Sequence, residues 1–262
     1  MRHTLLPIAA IAALVVPALA PAQAPSAAIQ AAVANPARTA ENRPRDRYRH
    51  PAQTLAFFGV KPTDHIVEFI PSGGWYTEIL APLVRGKGSY TALVTSEKAA
   101  GAARTMLETK QLAGTVATID AAAGTSTVAP GSADVVLTFR NIHNLTMNGG
   151  PTAANVFKAW YAMLRPGGTL GVVDHRLPAN RNVADEKTSG YLKRATVVAL
   201  AQAAGFRLAG ESQVNANPKD KADYPQGVWT LPPVLREGDK DRARYLAIGE
   251  SDRMTLKFVK PR

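Results

Sequence analysis

HIVEFIPSGGWYTE, residues 65–78, is the stretch whose reading decides the fold. Residues 65–70 are apolar and β-branched around a single acid, Glu68, and lie between Pro62 and Pro71, which predicts a short buried strand. Ser72-Gly73-Gly74 predicts a tight turn, and Trp75–Val84 then has helical spacing interrupted by Pro82. An acid inside a strand, a Gly-rich turn and a helix start can together cradle a ligand. Glycines let the backbone come close, and the helix N-terminus offers free N–H groups. A purely structural turn is the other reading of the same residues.

Outward from this unit the pattern repeats. Strands are predicted at 89–95, 115–119, 133–139, 169–173, 206–211 and 254–259. Helices are predicted at 51–58, stopped by Gly59 and Pro62, at 97–112, at 153–164, ended by Arg165-Pro166-Gly167-Gly168, and at 191–204, ended by Gly205. The run ADVVLTF (133–139) is apolar without alternation, as in a strand buried on both faces. The expectation is an α/β, doubly wound, mainly parallel seven-stranded sheet with helices on both faces. Ligands in such sheets sit beyond the carboxyl ends of the strands, where the winding reverses.

Composition narrows the chemistry. Of 262 residues, 46% are hydrophobic and 19% charged, which excludes a disordered chain and suffices for one large core. With no cysteine, a disulfide framework, a zinc knuckle, an iron–sulfur cluster and a thiol nucleophile are all excluded. Residues 1–22 read as a signal peptide: Arg2 and His3, an apolar run over 5–20, then small residues with Ala-x-Ala spacing. A periplasmic or secreted protein follows, with an uncleaved membrane anchor as the alternative. Residues 23–50 form an Ala-rich and basic segment with Arg38, Arg43, Arg45, Arg47 and Arg49, read as a solvated cationic surface.

The formal charge of +11 invites a nucleic-acid reading. Aromatics are only 6% of the chain, however, and none interleave with the charge as a stacking platform requires. The expected partner is therefore a small-molecule substrate, with an anionic group a natural match, and no nucleic acid. Peripheral contact with an anionic envelope surface is a further expectation. Residues 51–262 form the domain, with an insertion at about 214–250 whose Trp229 and prolines make either a rigid lid or a packed loop.

Two polar clusters follow apolar strands: Arg140-Asn141-Ile142-His143-Asn144 and Asp174-His175-Arg176. Neighbouring strands would bring both to the cleft beside the glycine turn. Either His143 or His175 can act as a base there, oriented by Asp174, and Arg140 or Arg176 can pair with a substrate anion. Polar lining of a pocket is the bland alternative. Two histidines and a carboxylate are also a conceivable metal set, but no HxxxH or HxH spacing supports one, and no metal is expected.

Three blocks in this order, the strand–acid–Gly turn at 66–74, the strand after Ser132 and MLRPGGTL at 163–170, resemble the class I S-adenosylmethionine-dependent methyltransferases. Phe69–Leu80, Thr138–Asn144 and Gly249–Pro261 are similar to an exported bacterial group of predicted methyltransferases. The resemblance implies a Rossmann-like fold with S-adenosylmethionine as cofactor. It implies Glu68, Pro71, Ser72, Gly73, Gly74 and Trp75 around the cofactor's methionine part, Glu97 near the ribose and Asp120 near the adenine. The family's Gly-x-Gly-x-Gly is here Ile70-Pro71-Ser72-Gly73-Gly74, and the second strand lacks a terminal acid. A binding or envelope protein reusing the fold without its cofactor, and a hydrolase or lyase using His143, Asp174 and His175, are the rival readings.

Overall fold

The computed structural model describes residues 24–147 and 152–262, so the expected signal peptide lies outside the described residues. The first element is α1 (Ala27–Ala34), capped by Ser26, whose Oγ accepts from the Ile29 N–H. A short turn at Arg43–Arg45 leads into α2 (Asp46–Arg49) and α3 (Pro51–Phe58), which starts on a proline and stops at Gly59, φ +77°. Then come β1 (His65–Phe69), α4 (Thr77–Val84), β2 (Ser89–Val94), α5 (Glu97–Thr109), β3 (Thr115–Asp120), β4 (Thr125–Ser126), β5 (Ala133–Phe139), α6 (Ile142–Met147), α7 (Thr152–Met163) and β6 (Leu164–His175). The chain closes with α8 (Arg194–Ala203), β7 (Arg207–Ser212), α9 (Arg242–Ile248) and β8 (Arg253–Val259).

All seven expected strands are present, and the two-residue β4 adds an eighth. The sheet order is β4-β3-β2-β1-β5-β6-β8-β7, parallel throughout β3 to β6, with β4 and β8 antiparallel to their neighbours. Alternate residues of β5 face opposite sides. Val135 and Leu137 enter a core with Leu55, Phe58 and Ile79, while Val136 enters a second core with Phe157, Trp160 and Phe258. Winding runs outward from β1 to β4 and then returns to β5 on the other side of β1. The carboxyl ends of β1 and β5 therefore flank the crevice.

Two readings of the sequence need correction. Arg165–Gly168 does not separate α7 from a strand beginning at Thr169; pairing already starts at Leu164↔Ala133 and continues through a bulge. A Cβ on Gly168 would lie 2.9 Å from the Arg165 carbonyl oxygen, so only glycine fits this bend.

The basic segment is solvated only in part, with Arg43 and Arg47 exposed. Ile29 and Ala32 of α1 are buried in the core around α4, and Arg38 and Arg49 are buried. Arg38 donates both terminal nitrogens to Asp46 and one of them to the Val33 carbonyl. Further on, Arg45 and Arg49 reach Glu250, more than two hundred residues away. No helix among the described residues is long and apolar enough to cross a membrane.

Candidate functional site

A cavity of about 320 Å³ opens where the winding reverses, within the size range of small-ligand sites. Two loops at the carboxyl ends of strands build much of it. The β1–α4 turn contributes Ile70, Pro71, Ser72, Gly73, Trp75 and Tyr76, and the residues after β5 contribute Arg140, Asn141, His143 and Asn144. The rest comes from distant chain segments: Arg45 and Arg49, Asn215, Trp229 and Arg253. Backbone strain is concentrated here. Ile70 (φ +48°), Ser72 (φ +53°) and Arg140 (φ +65°) all occupy the left-handed region, which a β-branched residue such as isoleucine strongly resists.

Glu68 lines the cavity from inside β1, with one carboxylate oxygen accepting from Tyr90 Oη (2.7 Å) and Thr77 Oγ1 (2.8 Å). Burial pushes its pKa up to about 7, against those two hydrogen bonds. Gly73 and Gly74 play different parts. A Cβ on Gly73 would enter open space at the cavity, whereas one on Gly74 (φ +80°) would meet Met106 Sδ at 2.7 Å, so Gly74 serves packing. Asn141 donates to the Phe69 carbonyl at 2.8 Å and so ties the ends of β1 and β5 together.

Asp174 is fully buried at the end of β6 and organises the second polar cluster. It accepts from the Ile142 N–H (2.7 Å), the His175 N–H (2.8 Å) and His143 Nδ1 (2.8 Å). A carboxylate only accepts, so His143 carries its proton on Nδ1 and keeps Nε2 as a lone-pair acceptor. His143 lines the cavity and packs against the Trp229 ring at 6.2 Å.

His175 is engaged on both nitrogens: Nδ1 with Ser251 Oγ at 2.5 Å and Nε2 with the Arg140 Nε–H at 3.3 Å. Burial, with Arg140 and His143 adding to it, holds its pKa well below the usual histidine range. The two histidines thus differ geometrically. His143 lines the cavity, whereas both nitrogens of the buried His175 are engaged, Nε2 with Arg140. His143, Asp174 and His175 offer ligand atoms within 4.8 Å of one another, and of these His143 Nδ1, the Asp174 carboxylate and both His175 nitrogens are hydrogen-bonded within the protein.

Glu250 organises the opposite wall. It accepts from Arg45 Nε (2.7 Å) and Arg49 Nε (3.1 Å) and pairs with Arg253 Nη1 (3.2 Å). Burial alone would raise its pKa, but Arg253, Arg49, Arg45 and Arg140 outweigh that and hold it at about 2. In the sequence Arg49 is one member of a basic run, and Arg253 ends the charged stretch Glu250-Ser251-Asp252-Arg253, which reads equally as a capped loop or a contribution to the site. Their convergence depends on a contact between the two ends of the chain.

The cavity thus gathers Glu68, Pro71, Ser72, Gly73, Trp75, Arg140, Asn141 and His143, with Asp174 and His175 behind it. It leaves out Glu97 and Asp120. Glu97 is exposed in the first turn of α5, and Asp120 is exposed and accepts from the Ala122 and Ala123 N–H groups of its own turn. Arg176 is outside too, forked onto Asp252. Trp229 covers the His143 side of the cavity, while the rest of the insertion is pinned by Asn215 and Asn217.

Residues 70–172 match the family model of a methyltransferase domain. Among solved structures the chain is similar to a SAM-dependent methyltransferase from Aquifex aeolicus, with 14% identity, 82% of this chain and 92% of that one covered, and a TM-score of 0.57. An arsenic(III) S-adenosylmethionine methyltransferase from Chlamydomonas reinhardtii shares 16% identity over 91% of this chain and 75% of that one, with a TM-score of 0.51. The cyclase SpnF shares 14% identity over 87% and 85%, with a TM-score of 0.54. No curated protein matches. The chain is therefore built on the Rossmann-like methyltransferase fold, with its methyltransferase-domain match running from the strained Ile70 turn to Val172 inside β6.

Proposed function

We propose that this chain is an exported S-adenosylmethionine-dependent methyltransferase acting on a small or medium-sized acceptor. The observation that carries the reading is the His143–Asp174 pair, presented beside the β1–α4 turn in a cavity at the winding reversal. The methyltransferase-domain match over residues 70–172 supports it.

The residues present fit one half of the cofactor well. Gly73 leaves open space where a Cβ would intrude, and Glu68 with the Pro71–Trp75 turn would hold the methionine part. Glu97 and Asp120, exposed on the rim side of the sheet, are the groups left for the ribose and adenine. When bound, S-adenosylmethionine supplies an electrophilic methyl group.

The chain's own residues then do the rest. His143 Nε2 takes a proton from the acceptor, and Asp174 fixes the tautomer that makes Nε2 the acceptor atom. His175, held by Ser251, positions Arg140. Trp229 shields the His143 ring from solvent.

Calorimetry on the full chain with S-adenosylmethionine and S-adenosylhomocysteine tests the reading; no heat with either would sink it. Once an acceptor is in hand, His143→Ala should lower turnover by about a hundredfold or more while leaving cofactor affinity unchanged. A second reading, a binding protein that reuses the fold without its cofactor, is favoured by one observation. Glu97 and Asp120 do not line the cavity. Similarity to a protein named as a cyclase is in keeping with one scaffold serving different chemistries. Ligand binding by a chain that ignores both cofactor forms would select that reading.

A further inference from the structure

Four guanidinium groups, Arg45, Arg49, Arg140 and Arg253, line the cavity, brought together from the N-terminal segment, the end of β5 and the start of β8. Glu250 is the acid among them, and both its oxygens are already taken. Arg45 Nη2, Arg49 Nη2 and Arg253 Nε are buried and have no hydrogen-bond partner among the described residues. Among the described residues the Arg140 side chain donates through Nε alone, to His175. Each guanidinium carries five N–H donors, and charged donors left unpaired in a low-dielectric site are costly.

Two other well-packed arginines are each matched to one carboxylate. Arg38 forks onto Asp46, and Arg176 forks onto Asp252. The cavity cluster departs from that pattern by an excess of buried positive charge. Burial lowers the Arg49 pKa to about 9 and the Arg140 pKa to about 10, with the other cluster arginines adding to it and Glu250 opposing. The lining also carries an apolar and aromatic side, Ile70, Trp75, Tyr76, Phe139, Val173 and Trp229, beside polar groups that include the Glu68 carboxyl and the amides of Asn42, Asn141 and Asn215. An oxyanion on an organic body matches both halves, because guanidinium forks bind carboxylate and phosphate edge-on.

We propose that Arg45, Arg49, Arg140 and Arg253 form an oxyanion-recognition site, so that the cavity's ligand is a small organic acid bearing a carboxylate or phosphate group. The inference rests on the proposed function only in naming that acid as the methyl acceptor. Arg140 lies against His175, whose ring is 5.0 Å from that of His143, so the anchored group sits about one ring away from the base.

Titration calorimetry on the full chain, at matched chloride ionic strength, would use phenyl phosphate, benzoate, inorganic phosphate and phenol. Phenyl phosphate or benzoate should bind more tightly than phenol and inorganic phosphate. Arg140→Gln and Arg45→Gln should each weaken that binding about tenfold or more, while Arg194→Gln, on the surface beside Glu211, should not. Thermal melts establish that the variants are folded. Arg140→Gln is the decisive variant, because Arg45, Arg49 and Arg253 also hold the buried Glu250.

Failure of both acids to bind, phenol or inorganic phosphate binding as tightly, or unchanged affinity in both variants would overturn the proposal. Saturation with S-adenosylhomocysteine completes the test. Retained acid binding supports the acceptor assignment. Mutual displacement would mean that the arginines hold the cofactor's own carboxylate, and the acceptor assignment falls. Acid binding by a chain that ignores S-adenosylhomocysteine would leave the oxyanion site standing and remove the proposed methyl transfer.

Discussion

Glu250→Gln isolates the contact that closes the cavity. The carboxylate is 3% exposed and joins Arg45 and Arg49 of the N-terminal segment to Arg253 of β8. Its pKa falls from the ordinary 4.5 to about 2. At about 1.4 kcal/mol per unit, the charged form stabilises the fold by about 3 kcal/mol. A depressed carboxylate gives this stability in full above pH 4.5 and loses it as the pH falls toward 2. The glutamine variant keeps the shape, removes the charge and leaves three guanidiniums facing one another, a loss of about 3–5 kcal/mol by the usual behaviour of broken buried pairs.

Urea unfolding of both proteins at neutral pH and again near the acid end of that window is the assay. The variant should be less stable by about 3 kcal/mol or more at neutral pH, and the gap should close as the wild-type carboxylate protonates. A difference under about 1 kcal/mol at neutral pH, or one that does not shrink in acid, would refute the reasoning. It would mean that the N-terminal arginines merely lie near Glu250.

Other outcomes follow from single features of the site. Gly74→Ala should cost about 1–3 kcal/mol in a denaturant titration, because φ +80° is strained and its Cβ collides with Met106; Gly73→Ala should fold normally and instead weaken ligand binding by calorimetry. Glu68→Gln should raise stability at neutral pH by up to about 3 kcal/mol. A carboxylate whose folded pKa is about 7 rather than 4.5 costs the fold stability as the pH rises through that interval, and an unchanged urea midpoint would contradict this. His175 is neutral when folded but protonates near 6.5 when unfolded, so wild-type stability should decline as the pH drops below 6.5. In His175→Asn that part of the decline should vanish from the pH series of melting temperatures.

How much was legible depends on the range of the interaction. The strand at 133–139 and the glycine turn after Phe69 are short-range patterns, and the described elements follow them within a few residues. Helix α6 went unrecognised because its six residues are too few to display a period, and β4 because two residues carry no alternation. His143 and His175 looked equivalent in the chain. Their difference arises from which nitrogen meets Asp174, Ser251 or Arg140, which no local pattern encodes. The run Arg38–Arg49 looked solvated because its acid partners are Asp46, which local reading did not pair with Arg38, and Glu250, at the far end of the chain.

By itself, the sequence determined the parallel α/β sheet, the position of the crevice and the residue types facing it, since hydrophobic period and glycine placement act over a few residues. The tertiary structure alone decided that His143 rather than His175 lines the cavity, that Glu97 and Asp120 lie outside it, and that three arginines converge on one acid. Those outcomes depend on burial and on hydrogen bonds between segments up to two hundred residues apart, where the energy of a charge is fixed by its neighbours in space rather than in the chain.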